Sequence, residues 1–238
     1  MDDDHSARTG LDRLGDPVAG PEELPDEARH RHPIRLTSFV GVMVVTEAVN
    51  ILLTRRLHFA MPPRSGAGQL ARTMSLASNS LVGVMLLVAV GTLLVSTKQT
   101  PRFALPVMVI YLITATINVL INVGTLVVTP DIAHARQNML VIDLALVFTA
   151  TTLVFSLWYQ VADTHLPGGA FDFPPLAGDP NAPPVWFDYL VVAFYTNTTF
   201  GPTTEEVRTR PARALMMFQT ALALVILVVV VARIIQAP

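Results

Sequence analysis

Apolar residues gather in long blocks separated by short polar breaks. A spanning helix needs about 20 mostly apolar residues. Five blocks approach that length: Leu36 to Leu53, Leu76 to Val95, Phe103 to Val128, Leu140 to Val161 and Ala212 to Ile235. The first ends at Arg55-Arg56, the third at Thr129-Pro130, and the last contains an unbroken apolar run from Ala221 to Ala232. A sixth block, Val185 to Thr198 (VWFDYLVVAFYTNT), has only 14 residues. It is too short to cross and too apolar for a solvent loop, a length that fits a re-entrant or interfacial helix. The pattern predicts an all-α membrane protein with five transmembrane helices plus a re-entrant pore helix. A spanning helix, a polar loop, a short helix, a Thr/Gly-rich turn and a second spanning helix follow the order of a pore loop. An amphipathic helix lying on the bilayer gives the same order.

Composition sharpens this picture. Of 238 residues, 52% are hydrophobic and 14% charged, with a mean hydropathy of +0.51. Soluble domains carry about a quarter charged residues. Nine of the 18 acidic and five of the 16 basic residues precede Leu36, so the apolar blocks carry very few charges. A water-soluble enzyme with one core is excluded, because too little polar surface remains to cover the apolar runs. Residues 1–35 form an acidic tail with almost nothing to bury, and disorder is expected there. The tail does not resemble a cleavable signal, so the first helix is expected to serve as its own targeting signal. Arg29-His30-Arg31-His32 reads as a solvated basic flank rather than a metal site. There are no cysteines, and the net charge is −2. No thiolate metal site, disulfide or large basic nucleic-acid surface is therefore expected, and no metal or cofactor is called for.

The segment Ala193 to Leu215 reads AFYTNTTFGPTTEEVRTRPARAL. It resembles the pore loop of the tetrameric potassium-channel family, whose pattern is close to AFTTxTTVGYGD. Thr196, Thr198, Thr199 and Gly201 fall on filter positions without a gap. Ala212 to Leu215 fall near the start of the inner helix. By this resemblance the fourth block is the outer helix, Val185–Thr198 the pore helix and the fifth block the pore-lining helix. The resemblance divides the chain into the tail, a three-helix membrane region over 36–137 and a channel-like pore domain over 138–238.

Gly169-Ala170-Phe171-Asp172-Phe173-Pro174, together with Phe155, Trp158 and Tyr159, is also similar to an uncharacterised family of small bacterial multi-pass proteins with a channel-like carboxy-terminal half. The filter departs from the potassium pattern. Phe200, Gly201, Pro202, Thr203 and Thr204 stand where the family has V-G-Y-G-D. A potassium filter aims successive carbonyls at the ion, and its glycines permit backbone angles that residues with a Cβ resist. Pro202 fixes φ and removes an amide donor, and Thr203 replaces the second glycine. Potassium selectivity is therefore not carried over. A threonine layer at Thr198 and Thr199 below Gly201 remains as a possible oxygen ring.

Few polar groups lie within the blocks. Glu47 and Asp143 are acids in the first and fourth, and Asp188 lies in the short helix. A charge at the bilayer centre costs about 2.5–3.5 kcal/mol on insertion scales. For Glu47 the readings are a buried inter-helix hydrogen bond, a proton or cation site, or interface exposure. Asp143 is expected to snorkel to the interface, and Asp188 to hydrogen-bond locally. Asn118 and Asn122 stand at i and i+4 on the third helix, where amides commonly bond to neighbouring helices. Gln219 in the last helix either lines a pore or makes a packing contact.

A channel orientation places Asp163–Pro184 outside, with His165 solvated. The amino terminus is then outside, with six basic residues inside and ten outside, against the positive-inside tendency. One pore loop per chain implies a homotetramer, in a plasma (inner) bacterial membrane, with a monovalent cation as the passing species. The competing reading is a non-conducting regulatory or structural protein that keeps the pore fold. Hydrolase motifs such as His-Glu-x-x-His and Gly-x-Ser-x-Gly are absent, so no enzymatic activity is expected. Neither a repeat of spans nor an arginine-repeat voltage sensor is evident.

Overall fold

The computed structural model describes residues 36–60, 66–95, 104–128, 137–174, 182–198 and 205–235. The acidic tail and residues 199–204, which hold Thr199, Phe200, Gly201, Pro202 and Thr203 of the filter pattern, lie outside the described residues. The described chain is mostly helical: α1 (Leu36–Ala60), α2 (Gly66–Val95), α3 (Ala104–Val128), α4 (Gln137–His165), β1 (Phe171–Asp172), α5 (Trp186–Asn197), β2 (Glu206–Val207) and α6 (Arg210–Ile235).

Proline and glycine set the breaks. Pro62-Pro63 follows α1, Pro130 follows α3, and Pro167-Gly168-Gly169 follows α4. Proline cannot continue a helix and pushes the preceding residue toward extended backbone. Pro106 and Pro211 sit inside first turns, where a missing amide hydrogen costs nothing.

Among the described residues, four helices are long and apolar enough to cross a membrane: Ser38–Arg56, Leu105–Leu126, Val141–His165 and Arg210–Val229. This is a multi-pass membrane protein. The helix α4 is its centre, in contact with α1, α3, α5 and α6. Every residue from 150 to 157 is buried, as expected of a helix with neighbours on all sides. Its hydroxyls return to their own backbone: Thr151 donates to Val147 O and Thr152 to Phe148 O, both at 2.8 Å. Such bonds satisfy a polar group where no water is at hand.

Asp143 stands near the start of the α4 span, and Arg56 at the end of the α1 span. The Asp143 carboxylate accepts from Arg56 Nε at 2.6 Å, with its side chain only 6% exposed. This ion pair ties α4 to α1. Two further bonds tie α3 into the bundle. Tyr111 donates to Met43 O on α1 at 3.3 Å, and Trp158 Nε1 donates to Thr116 Oγ1 at 3.0 Å.

Candidate functional site

The short helix α5 lies against α4 and α6. Pro183-Pro184 stops helix formation before it, and Asp188 caps its start. The Asp188 carboxylate accepts from the Val185 amide at 2.6 Å, while the Asp188 amide donates to Val185 O at 3.0 Å. The local hydrogen bond expected for Asp188 is thus made, at the helix end where an acid also suits the dipole.

Three side chains of α5 hold it along α4. Trp186 Nε1 donates to Ser156 Oγ at 3.2 Å, and Tyr189 OH to Asp163 Oδ2 at 2.7 Å. At the other end, Asn197 Nδ2 donates to Thr152 Oγ1 at 3.1 Å and is 3.3 Å from Phe148 O. Asp163 stands near the carboxy-terminal end of α4, whereas Phe148 and Thr152 lie near the middle of its apolar span. From Tyr189 to Asn197, α5 therefore runs from near the α4 terminus toward the α4 midpoint, while Trp186 reaches Ser156 between the two. The chain then comes back. In an antiparallel pair, β2 meets β1 with Phe171 opposite Val207 and Asp172 opposite Glu206. The Arg208 amide donates to Ala170 O at 3.0 Å, and its guanidinium pairs with Asp172.

The turn after α4 is built on Asp163. Its Oδ1 accepts from the amides of Ala170 at 2.6 Å and Phe171 at 2.9 Å, leaving Oδ2 for Tyr189. Gly168 and Gly169 hold φ of 75° and 77°, a region that costs residues with a Cβ about 1–2 kcal/mol. Above the turn the rings of Tyr159, Phe171, Phe173 and Tyr189 pack edge to face, with centroids 5.2 Å apart for Tyr159–Phe171 and 5.3 Å for Phe173–Tyr189. Burial first, and then the Asp163 charge, pushes the Tyr189 phenol above its ordinary range. Tyr189 thus remains the donor to Asp163.

Gln219 joins the three helices. It is fully buried; Tyr159 OH donates to its Oε1, and its Nε2 donates to Ala193 O on α5 at 2.8 Å. Within one chain its amide is a packing contact with both ends engaged. Buried residues Ala212, Gln219, Leu222, Ala223 and Ile226 form one stripe of α6, while Met217, Leu224, Val228 and Val231 are exposed. Replacing Gln219 by leucine should lower unfolding free energy by about 1 kcal/mol, because the Tyr159 hydroxyl and its tie to α5 lose a partner. SDS-induced unfolding of purified protein checks this, and an unchanged curve counts against the tie.

The other residues singled out by sequence fall in two places. Thr196 and Thr198 end α5. The Thr196 hydroxyl donates to Val192 O at 2.8 Å, and that of Thr198 lies 3.1 Å from Phe194 O and 3.0 Å from Tyr195 O. Glu47, Asn118 and Asn122 are all buried, but on α1 and α3, away from α5. His165 is exposed, with Nδ1 3.0 Å from Val161 O. The hub role of Asp163 was not anticipated. Its signal was an acid shortly before Pro167-Gly168-Gly169 in a loop without Lys or Arg. Comparison with known proteins found no matching family model, curated protein or solved structure.

Proposed function

We propose that this chain is a channel-like membrane protein, with five crossings and α5 as a re-entrant pore helix. Four copies would enclose a pore for monovalent cations in the inner membrane of a bacterium. The observation that carries this reading is the path of α5. Its 12 residues extend about 18 Å at the helical rise, short of the roughly 30 Å of hydrocarbon. It leads from the α4 terminus toward the α4 midpoint, and the β1–β2 pair returns the chain to the same terminus. Backbone that reverses at membrane depth is tolerated only inside protein or beside a water-filled cavity. In a pore of this kind the filter faces the axis shared by the copies, and the filter pattern here is carried by Thr199 to Thr203.

The exposed apolar face of α6 supports the same reading, since an inner helix needs contacts from other copies on the side its own chain leaves open. The fifth crossing in this reading is α2, whose 30 residues are ample for it. A non-conducting protein that keeps the pore fold is the second reading, favoured by Pro202 and Thr203 at positions where a filter needs mobile carbonyl geometry.

Reconstituted protein should run as a tetramer by native mass and pass sodium or potassium into liposomes. Thr199→Ala and Gly201→Ala should each reduce that flux about tenfold or more, as expected when a ring loses an oxygen or its backbone freedom. A monomer removes the pore, and flux indifferent to both substitutions removes its site.

A further inference from the structure

The largest set of unsatisfied buried polar atoms lies away from α5, between α1 and α3. Glu47 Oε2, both amide atoms of Asn50 and Thr54 Oγ1 have no hydrogen-bond partner, nor does Asn122 Nδ2 on α3. None of these four residues is more than 4% exposed. Buried polar atoms are nearly always satisfied, so a cluster of this kind asks for a missing occupant.

The two helices present the cluster to each other. Met43, Glu47, Asn50 and Thr54 form one stripe of α1, and Tyr111, Ala115, Asn118 and Asn122 repeat its intervals on α3. The bond from Tyr111 OH to Met43 O sets stripe against stripe. The α1 end bearing Arg56 meets the start of α4, and α3 ends shortly before α4 begins, so α1 and α3 run in the same direction. The Tyr111 hydroxyl is also within electrostatic reach of Glu47.

We propose that Glu47, Asn50 and Thr54 form a binding site for one dehydrated monovalent cation, an alkali ion, inside the helical body. The unpaired acceptors are a carboxylate, an amide carbonyl and a hydroxyl, all hard oxygens suited to alkali ions. Charge decides the valence. The ion pairs among the described residues are Arg56–Asp143 and Arg208–Asp172, neither involving Glu47. One carboxylate and one monovalent cation sum to zero, whereas a divalent ion would leave a net charge in a low-dielectric interior. The site is separate from the pore loop, and its test does not require flux.

The full chain, purified in detergent with N-methyl-D-glucamine as the sole cation, is titrated with sodium chloride or potassium chloride at constant ionic strength. Melting temperature and tryptophan emission are followed; Trp158 reports because its indole is bonded to α3. One of the two salts should raise the melting temperature saturably. Glu47→Gln should abolish the response while melting no lower than wild type in cation-free buffer. Thr54→Val, which keeps the side-chain shape, and Asn50→Leu should each raise the half-saturating concentration about tenfold or more, the scale seen when a metal site loses a supporting group. A Glu47→Gln protein that responds like wild type overturns the proposal. So does a wild-type melt indifferent to both salts, the result of a carboxyl that takes only a proton.

Discussion

Asp163→Ala is expected to destabilise the protein by about 3–5 kcal/mol, because three hydrogen bonds to one charged acceptor are lost together. The amides of Ala170 and Phe171 and the hydroxyl of Tyr189 all point at this carboxylate. Each becomes a partly or wholly buried donor without a partner, since Ala170, Phe171 and Tyr189 are at most 5% exposed. The consequence extends beyond stability. Asp163 fixes both the turn that leads to β1 and the amino-terminal half of α5, so its loss should also loosen whatever the α5 carboxy terminus positions.

Asp163→Asn should be milder, near 1 kcal/mol, as an amide oxygen still accepts from both backbone amides. The two glycines supply an internal control. A Cβ at Gly169 would stand 3.1 Å from Asp163 Oδ1, whereas one at Gly168 meets nothing within 4 Å. Gly168→Ala should therefore cost only the backbone penalty of about 1–2 kcal/mol, and Gly169→Ala more. Unfolding in SDS on bicelle-reconstituted protein reads all four. Equal effects for the two glycine variants would show that the carboxylate does not occupy the place assigned to it.

The ion pair between α1 and α4 should show a large and asymmetric response. Arg56→Met leaves the Asp143 carboxylate, 6% exposed, without its cation, and is expected to cost about 3–5 kcal/mol. Asp143→Leu should cost less. The Arg56 side chain is 26% exposed, and its long stem lets the guanidinium reach the headgroup region. The double variant should recover most of the stability lost in Arg56→Met, since two apolar side chains carry no desolvation penalty. A double variant as unstable as Arg56→Met would mean that packing of the Arg56 stem, rather than charge, holds the helices.

The long helices were legible in the sequence because lipid demands long apolar stretches, and so was a helix too short to join them. Their ends were less so. The α2 helix begins at Gly66, ten residues before the apolar block at Leu76, and α4 runs on to His165 beyond Val161. Hydropathy reports where a segment is surrounded by apolar matter, while a helix persists through polar turns until proline or glycine stops its backbone ladder. Asp188 was read correctly as a local partner because capping spans only three residues. The partner of Asp143 was not legible, because the Arg56 that meets it lies 87 positions away. Gln219 had two possible places, and neither its spacing nor its neighbours in sequence distinguished them.

Apolar block length alone was enough to establish a multi-pass helical membrane protein and to mark Val185–Thr198 as the exception among its helices. Which polar group meets which was settled only by the packing of the helices. The reason lies in the membrane itself: lipid tails and helix interiors are equally apolar, so hydropathy carries little information on how a helix is rotated or which neighbour it faces. Those choices rest on the few polar contacts that assemble across the bundle. Here they join Arg56 to Asp143, Asp163 to Tyr189 and the turn, and Gln219 to Tyr159 and the α5 backbone.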